Sequence, residues 1–168
     1  MSGGDAATAA REVIAACIEH GWTIATAESC TGGLVAAALT DVPGASAAFE
    51  CGYVTYSNDA KVRMLGVSAD LVARHGAVSK EVARAMAEGA LREARADLAV
   101  AITGIAGPGG GSAKKPVGLV HIAAASRART LARMLRVRDD EPDADRERVR
   151  QISAAAALLL ALESLGGP

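Results

Sequence analysis

The strand-like run Trp22–Ala27 stops abruptly in Glu28, Ser29, Cys30 and Thr31, and two glycines, Gly32 and Gly33, lead from there into a small-residue stretch of helical character. A buried strand that passes at once into a helix is the first half of a strand–helix–strand unit, and the second half follows. Pro43 and Gly44 end the helix, and residues 50–57 (ECGYVTYS) read as the next strand. The crossover is then right-handed, the two strands are parallel, and their C-terminal ends share one edge of a sheet.

The remaining pattern extends that unit. Val13, Ile14, Cys17 and Ile18 form an apolar stripe of helical period between Asp5, a start signal, and Gly21, a stop. After the second strand come a helix capped by Ser57 or Asn58, a second over SADLVARHG and a third over residues 79–96, all three expected to cover a sheet face. Residues 98–103 (LAVAIT) are a fully apolar third strand that ends in the glycine-rich stretch 104–111. Two more strands follow, with a hairpin near Arg127 and Ala128. An acidic loop, DDEPDAD, precedes a last helix from Arg146 to Leu165. The chain, residues 1–168, is expected to form one domain.

Composition narrows how such a fold is filled and what it binds. Hydrophobic residues are 51% of the chain but aromatics only 2%, so the interior must be layers of Ala, Val, Leu and Ile. Few aromatic platforms and a net charge of -1 argue against nucleic-acid and anionic-membrane partners, which require a basic excess on one face. Cys17, Cys30 and Cys51 show neither zinc nor disulfide spacing, which suits a reducing, cytoplasmic setting. The opening MSGGDAATAA has no basic segment followed by an apolar one, so no targeting signal is expected there.

With the first three strands as parallel neighbours, their C-terminal edge collects TAESCTGG, YSNDAK and the glycine-rich loop, where ligand sites of open α/β sheets lie. Ser29 and Lys61 then come within hydrogen-bond reach. A lysine takes a serine proton only when neutral, so its pKa must fall from about 10.4 through burial or a nearby cation. Tyr56 is placed to relay a proton or orient Lys61, and the amides of Thr31, Gly32 and Gly33 to serve an oxyanion. Two plainer readings stand beside this one: a serine before a helix is an N-cap, and a lysine on a short helix is solvated.

The other chemically capable residues divide in the same way. The loop 104–111 fits neither Walker A nor a dinucleotide fingerprint, but its amides with Lys114 and Lys115 make either an anion cradle or a surface loop. Cys30 is a rival nucleophile, yet no histidine is adjacent in sequence and strand alternation turns it from Ser29, so it reads as a buried thiol. His20, His75 and His121 read as helix-end, capping and strand residues. Arg146 and Arg150, one turn apart, either hold a phosphate jointly or face solvent.

Taken together, TAESCTGGLVAAALTDVPG, YVTYSNDAK, HGAVSKEVA, AITGIAGPGGG, KPVG and DRERVR resemble the C-terminal domain of the competence/damage-inducible CinA family, in its stand-alone nicotinamide mononucleotide deamidase form. The resemblance implies a three-layer α/β/α sandwich with a mixed, mostly parallel sheet of about five strands. It also implies hydrolysis of the carboxamide of nicotinamide mononucleotide to nicotinate mononucleotide and ammonia, with no metal or cofactor. Ser29 would be the nucleophile, Lys61 the base and later acid, and Tyr56 their support. Thr103, Gly104 and Gly107 would line the ribose-phosphate pocket, Glu28, Thr31, Gly32 and Gly33 would border the substrate, and Arg146 would meet the phosphate. A homodimer is expected on the same basis. The chain departs from the family at Cys51, where an arginine is usual, and in the acidic lead to Arg146. The alternative reading is a non-catalytic nucleotide-binding or regulatory module of the same fold.

Overall fold

Asp5 caps the first helix, its side chain accepting from Ala7 N, and Gly21 ends it. The computed structural model describes residues 5–166; residues 1–4, part of the segment read for a targeting signal, lie outside them. The elements run α1 (Ala6–His20), β1 (Ile24–Glu28), α2 (Leu34–Thr40), a 3-10 turn (Ala45–Ala47), β2 (Phe49–Val54), α3 (Asn58–Leu65), α4 (Ala69–His75) and α5 (Lys80–Ala94). They continue with β3 (Leu98–Gly104), β4 (Leu119–Ser126), β5 (Thr130–Arg136), α6 (Val137–Asp140) and α7 (Arg146–Leu165).

The sheet order is β2-β1-β3-β4-β5. β1 lies between β2 and β3 and is parallel to both, while β4 is antiparallel to β3 and to β5, so only β4 runs against the rest. This is the mixed, mostly parallel sheet expected. On one face Val13, Ile14, Val35, Leu39 and Leu158 from α1, α2 and α7 pack against Val100, Ile102 and Ile122. On the other, Val82 and Met86 of α5 meet Ala25, Ala27, Ala99, Ala101, Ala123 and Ala125. That alanine floor is how a chain with few aromatics closes its interior, because small side chains let helix and sheet approach without voids.

Three local expectations are corrected. Ile18 is 48% exposed. Counted from Val13 it lies about 140° round the helix, beyond the arc that Ala9, Ala10, Val13, Ile14 and Cys17 bury. The second face is covered chiefly by α5, whose 15 residues reach about 22 Å; α3 and α4 pack mainly on α5 and add Leu65 and Val72 to the same buried cluster. Asp139 and Asp140, read as loop, belong to α6. Among the described residues no helix is long and apolar enough to cross a membrane.

Candidate active site

Backbone pairing carries the end of β1 to the middle of the sheet edge. The amide of Ser29 donates to Ile102 O of β3 (3.0 Å), and Glu28 O accepts from Thr55 N just past β2 (2.8 Å). Ser29 therefore sits where the C-terminal ends of three parallel strands meet. The chain then turns sharply through Gly32 (φ 60°) and Gly33 (φ 108°), left-handed conformations that side chains rarely adopt, and enters α2.

Glu28 takes over the work at the start of α2. Its carboxylate is fully buried and accepts from Val35 N (Oε1, 2.9 Å) and Ala36 N (Oε2, 3.0 Å). This corrects two readings. Glu28 is not turned to a substrate, and Ser29 is not the helix cap, because a carboxylate already satisfies those amides and offsets the positive end of the helix.

Ser57 caps α3 through Ala60 N (3.0 Å) and sets Lys61 on the buried side of that helix, where it is 1% exposed. Its ammonium nitrogen lies 3.0 Å from Ser29 Oγ, 2.8 Å from Thr55 O and 3.3 Å from Tyr56 O. Two carbonyls thus take two N–H groups. In the neutral amine, the remaining lone pair faces the serine hydroxyl. Burial lowers the Lys61 pKa below its ordinary value of 10.5. Cys30 next to it supplies no compensating anion, since burial pushes that thiol up to about 11 and keeps it protonated. None of the ion pairs among the described residues includes Lys61. A serine beside a buried, uncompensated lysine is one of the arrangements that can support nucleophilic acyl transfer.

The pair opens into a cleft of about 270 Å³ that Tyr56, Thr103, Gly104, Gly107 and Arg146 also line. Larger hollows of about 630 and 600 Å³ lie further along the glycine-rich loop and beside α7, and neither includes Ser29 or Lys61. Thr103 gives its hydroxyl to Ala77 O (2.8 Å), so it builds the wall instead of offering a donor. Tyr56 is 62% exposed. Its hydroxyl accepts from Arg146 Nη2 (3.2 Å), and it is its carbonyl, not its hydroxyl, that holds Lys61. Arg146 also donates from Nη1 to Gly107 O (2.7 Å), bridging the glycine loop and Tyr56 across the mouth.

Several expected residues are placed elsewhere. Thr31, Gly32 and Gly33 lie outside the cleft walls. The Gly32 amide is already given to Ser29 O (3.1 Å), and Thr31 Oγ1 is buried without a partner among the described residues. Lys115 is not part of an anion cradle. It donates to His75 O (2.6 Å) and Val78 O (2.7 Å), fastening the turn whose Ala77 and Val78 wall the cleft. Arg146 and Arg150 do not act together either: Arg150 donates to Cys30 O and Thr31 O, both at 3.0 Å. That clamp and Asn58, which lines the cleft, escaped the sequence reading. The helical spacing of the two arginines was visible, but their acceptors lie in loops more than 30 residues away. Among the described residues no group of three or more His, Cys, Asp or Glu is placed to hold a metal.

The frame and the pair define an α/β protein of three layers with a buried serine–lysine centre at the C-terminal edge of its sheet. The model of the CinA C-terminal domain matches residues 6–165, and the chain belongs to that family. A CinA-like protein of Geobacter metallireducens is 54% identical over 140 residues, covering 83% of this chain and 33% of the relative. One of Anaeromyxobacter dehalogenans is 53% identical over 150 residues, 88% of this chain and 35% of the relative. The chain thus spans about a third of the length of these curated relatives. Among solved structures, the competence/damage inducible protein CihA of Agrobacterium tumefaciens superposes with TM-score 0.91 at 47% identity, over 98% of this chain and 97% of that one. A CinA superfamily protein of Klebsiella pneumoniae gives 0.89 at 36% identity, over 96% and 98%.

Proposed function

We propose that this chain is an amidohydrolase that converts nicotinamide mononucleotide to nicotinate mononucleotide and ammonia. The observation that carries the reading is the 3.0 Å contact between Lys61 Nζ and Ser29 Oγ, with Lys61 buried and its other N–H groups held by carbonyls. In the first half-reaction Ser29 Oγ attacks the carboxamide carbon while its proton passes to neutral Lys61. Lys61 then returns that proton to the departing nitrogen, the C–N bond breaks, ammonia leaves and a nicotinoyl ester remains on Ser29. In the second half, water attacks the ester, Lys61 takes a proton from it and gives one back to Ser29 Oγ, and the acid is released.

The rest of the cleft is assigned by chemistry. Ala77, Val78, Ile105 and Ala106 supply apolar wall for a flat ring, and Arg146 is the cation at the mouth for a phosphate. Thr103, Gly104 and Gly107 shape the floor between them. Incubating the protein with nicotinamide mononucleotide and following ammonia and the nicotinate product by mass spectrometry tests this. Ser29→Ala and Lys61→Ala are expected to fold and to lose at least about 100-fold in kcat. Folded wild-type protein that binds the nucleotide in calorimetry but releases no product at any pH refutes the reaction and leaves the binding module.

A further inference from the structure

We infer that Arg150 is a positioning residue for Ser29: resting on the reading of Ser29 as nucleophile, its guanidinium holds the loop that carries the hydroxyl in the conformation that faces Lys61. Two successive carbonyls, Cys30 O and Thr31 O, accept from one planar guanidinium, through Nε and Nη2, each at 3.0 Å. The same group sits over Gly32, where an added Cβ would lie 3.6 Å from Nη2. Thr31 O also accepts from Leu34 N (3.2 Å), but Cys30 O has Arg150 as its partner, in a residue only 5% exposed. Removing the clamp strands that carbonyl in a buried turn.

The loop needs an external holder because its own backbone does not restrain it. Gly32 and Gly33 are both left-handed, a region glycine enters freely but no more readily than its others, so the two residues have the most conformational freedom to lose in a fixed turn. Between the Ser29 amide, anchored on Ile102 O, and the Val35 amide, anchored on Glu28, the Arg150 fork ties the turn to α7. A rigid peptide plane makes each held carbonyl fix the direction of the N–H that follows it. Arg150 thereby also orients the amides of Thr31 and Gly32. One turn earlier on α7, Arg146 grips the glycine-rich loop through Gly107 O, so α7 positions both loops at the sheet edge. A lysine at 150 carries the charge but not the two-pronged geometry.

The test uses the full chain with Arg150→Ala and Arg150→Lys, reading kcat and KM on nicotinamide mononucleotide and, separately, the rate at which a fluorophosphonate labels Ser29 by intact mass. Expected is a loss of about 100-fold in kcat and in labelling rate for Arg150→Ala, the scale of a displaced reacting group, with KM changed less than about threefold. Arg150→Lys should recover less than a tenth of the loss, and added guanidinium at millimolar concentration should restore labelling of Arg150→Ala. Near wild-type kcat and labelling in either variant overturns the inference, as does a loss confined to KM. If Arg150→Ala does not fold, Arg150→Lys alone decides. Wild-type protein that labels at Ser29 but does not hydrolyse the nucleotide refutes only the substrate, and the labelling ratio still judges Arg150. Wild-type protein that does neither overturns both.

Discussion

Glu28→Gln separates what the sequence suggested for Glu28 from what the fold does with it. The carboxylate accepts from two α2 amides, at 2.9 and 3.0 Å, and a primary amide has only one acceptor oxygen. One of the two amides then faces an NH2 group. Losing a hydrogen bond to a charged acceptor costs about 1.5–3 kcal/mol, and losing a negative charge at a helix start costs a further 0.3–1 kcal/mol or so. No longer burying a charge offsets part of this, and the net is a loss of about 2 kcal/mol. For a chain of this size that lowers Tm by about 4–8 °C. Thermal unfolding followed by circular dichroism reads it directly, and urea unfolding should show a lower midpoint with unchanged slope. If Glu28 instead contacted substrate, Glu28→Gln would unfold with the wild type and raise KM. A Tm within about 1 °C of wild type refutes the account of Glu28 as the anchor of α2.

Three further outcomes test the site and its packing. Because burial lowers the Lys61 pKa from 10.5, kcat/KM should climb about tenfold per pH unit at low pH and level off before about 10.4; a flat profile, or one still climbing past that point, removes Lys61 as the base. The sign for stability is the same: the folded state holds the Lys61 proton less tightly than the unfolded chain, so between the two pKa values stability rises with pH relative to Lys61→Met, measured by urea unfolding. Gly89→Ala should destabilise despite a helix-propensity gain of about 1 kcal/mol, because the new Cβ would lie 2.1 Å from Leu65 O and overpacking of this kind costs about 1–3 kcal/mol. A Gly89→Ala protein with a Tm at or above wild type contradicts that contact.

Much of the frame follows from local pattern alone. Asp5, Ser57, Ser68 and Ser79 cap their helices through their own side chains, and α7 begins at Arg146 and ends at Leu165 as read, because capping and apolar period are properties of neighbouring residues. The parallel placement of β1 and β2 also follows, since two strands joined through a single short helix return parallel in the same sheet. For the same reason Ser29 and Lys61 could be brought to one edge on paper. Direction along an element is where local pattern ends. Nothing in the residues around Glu28 says that its carboxylate turns back to α2, nor that Tyr56 presents a carbonyl to Lys61 and its hydroxyl to Arg146.

What the sequence determined by itself, then, is the order of strands and helices, the small-residue interior and the residue types gathered at one sheet edge, all set by interactions within a few positions or by the handedness of a crossover. What only the tertiary structure decided is which polar group meets which. Arg150 reaches Cys30 and Thr31 across more than 100 residues, and Lys115 reaches Val78 across nearly 40. Lys61 becomes a lowered-pKa amine only because the packed protein buries it without an opposing charge. Hydrogen bonds and desolvation depend on distances of a few tenths of an ångström between segments far apart in the chain, and those distances exist only after the whole molecule has packed.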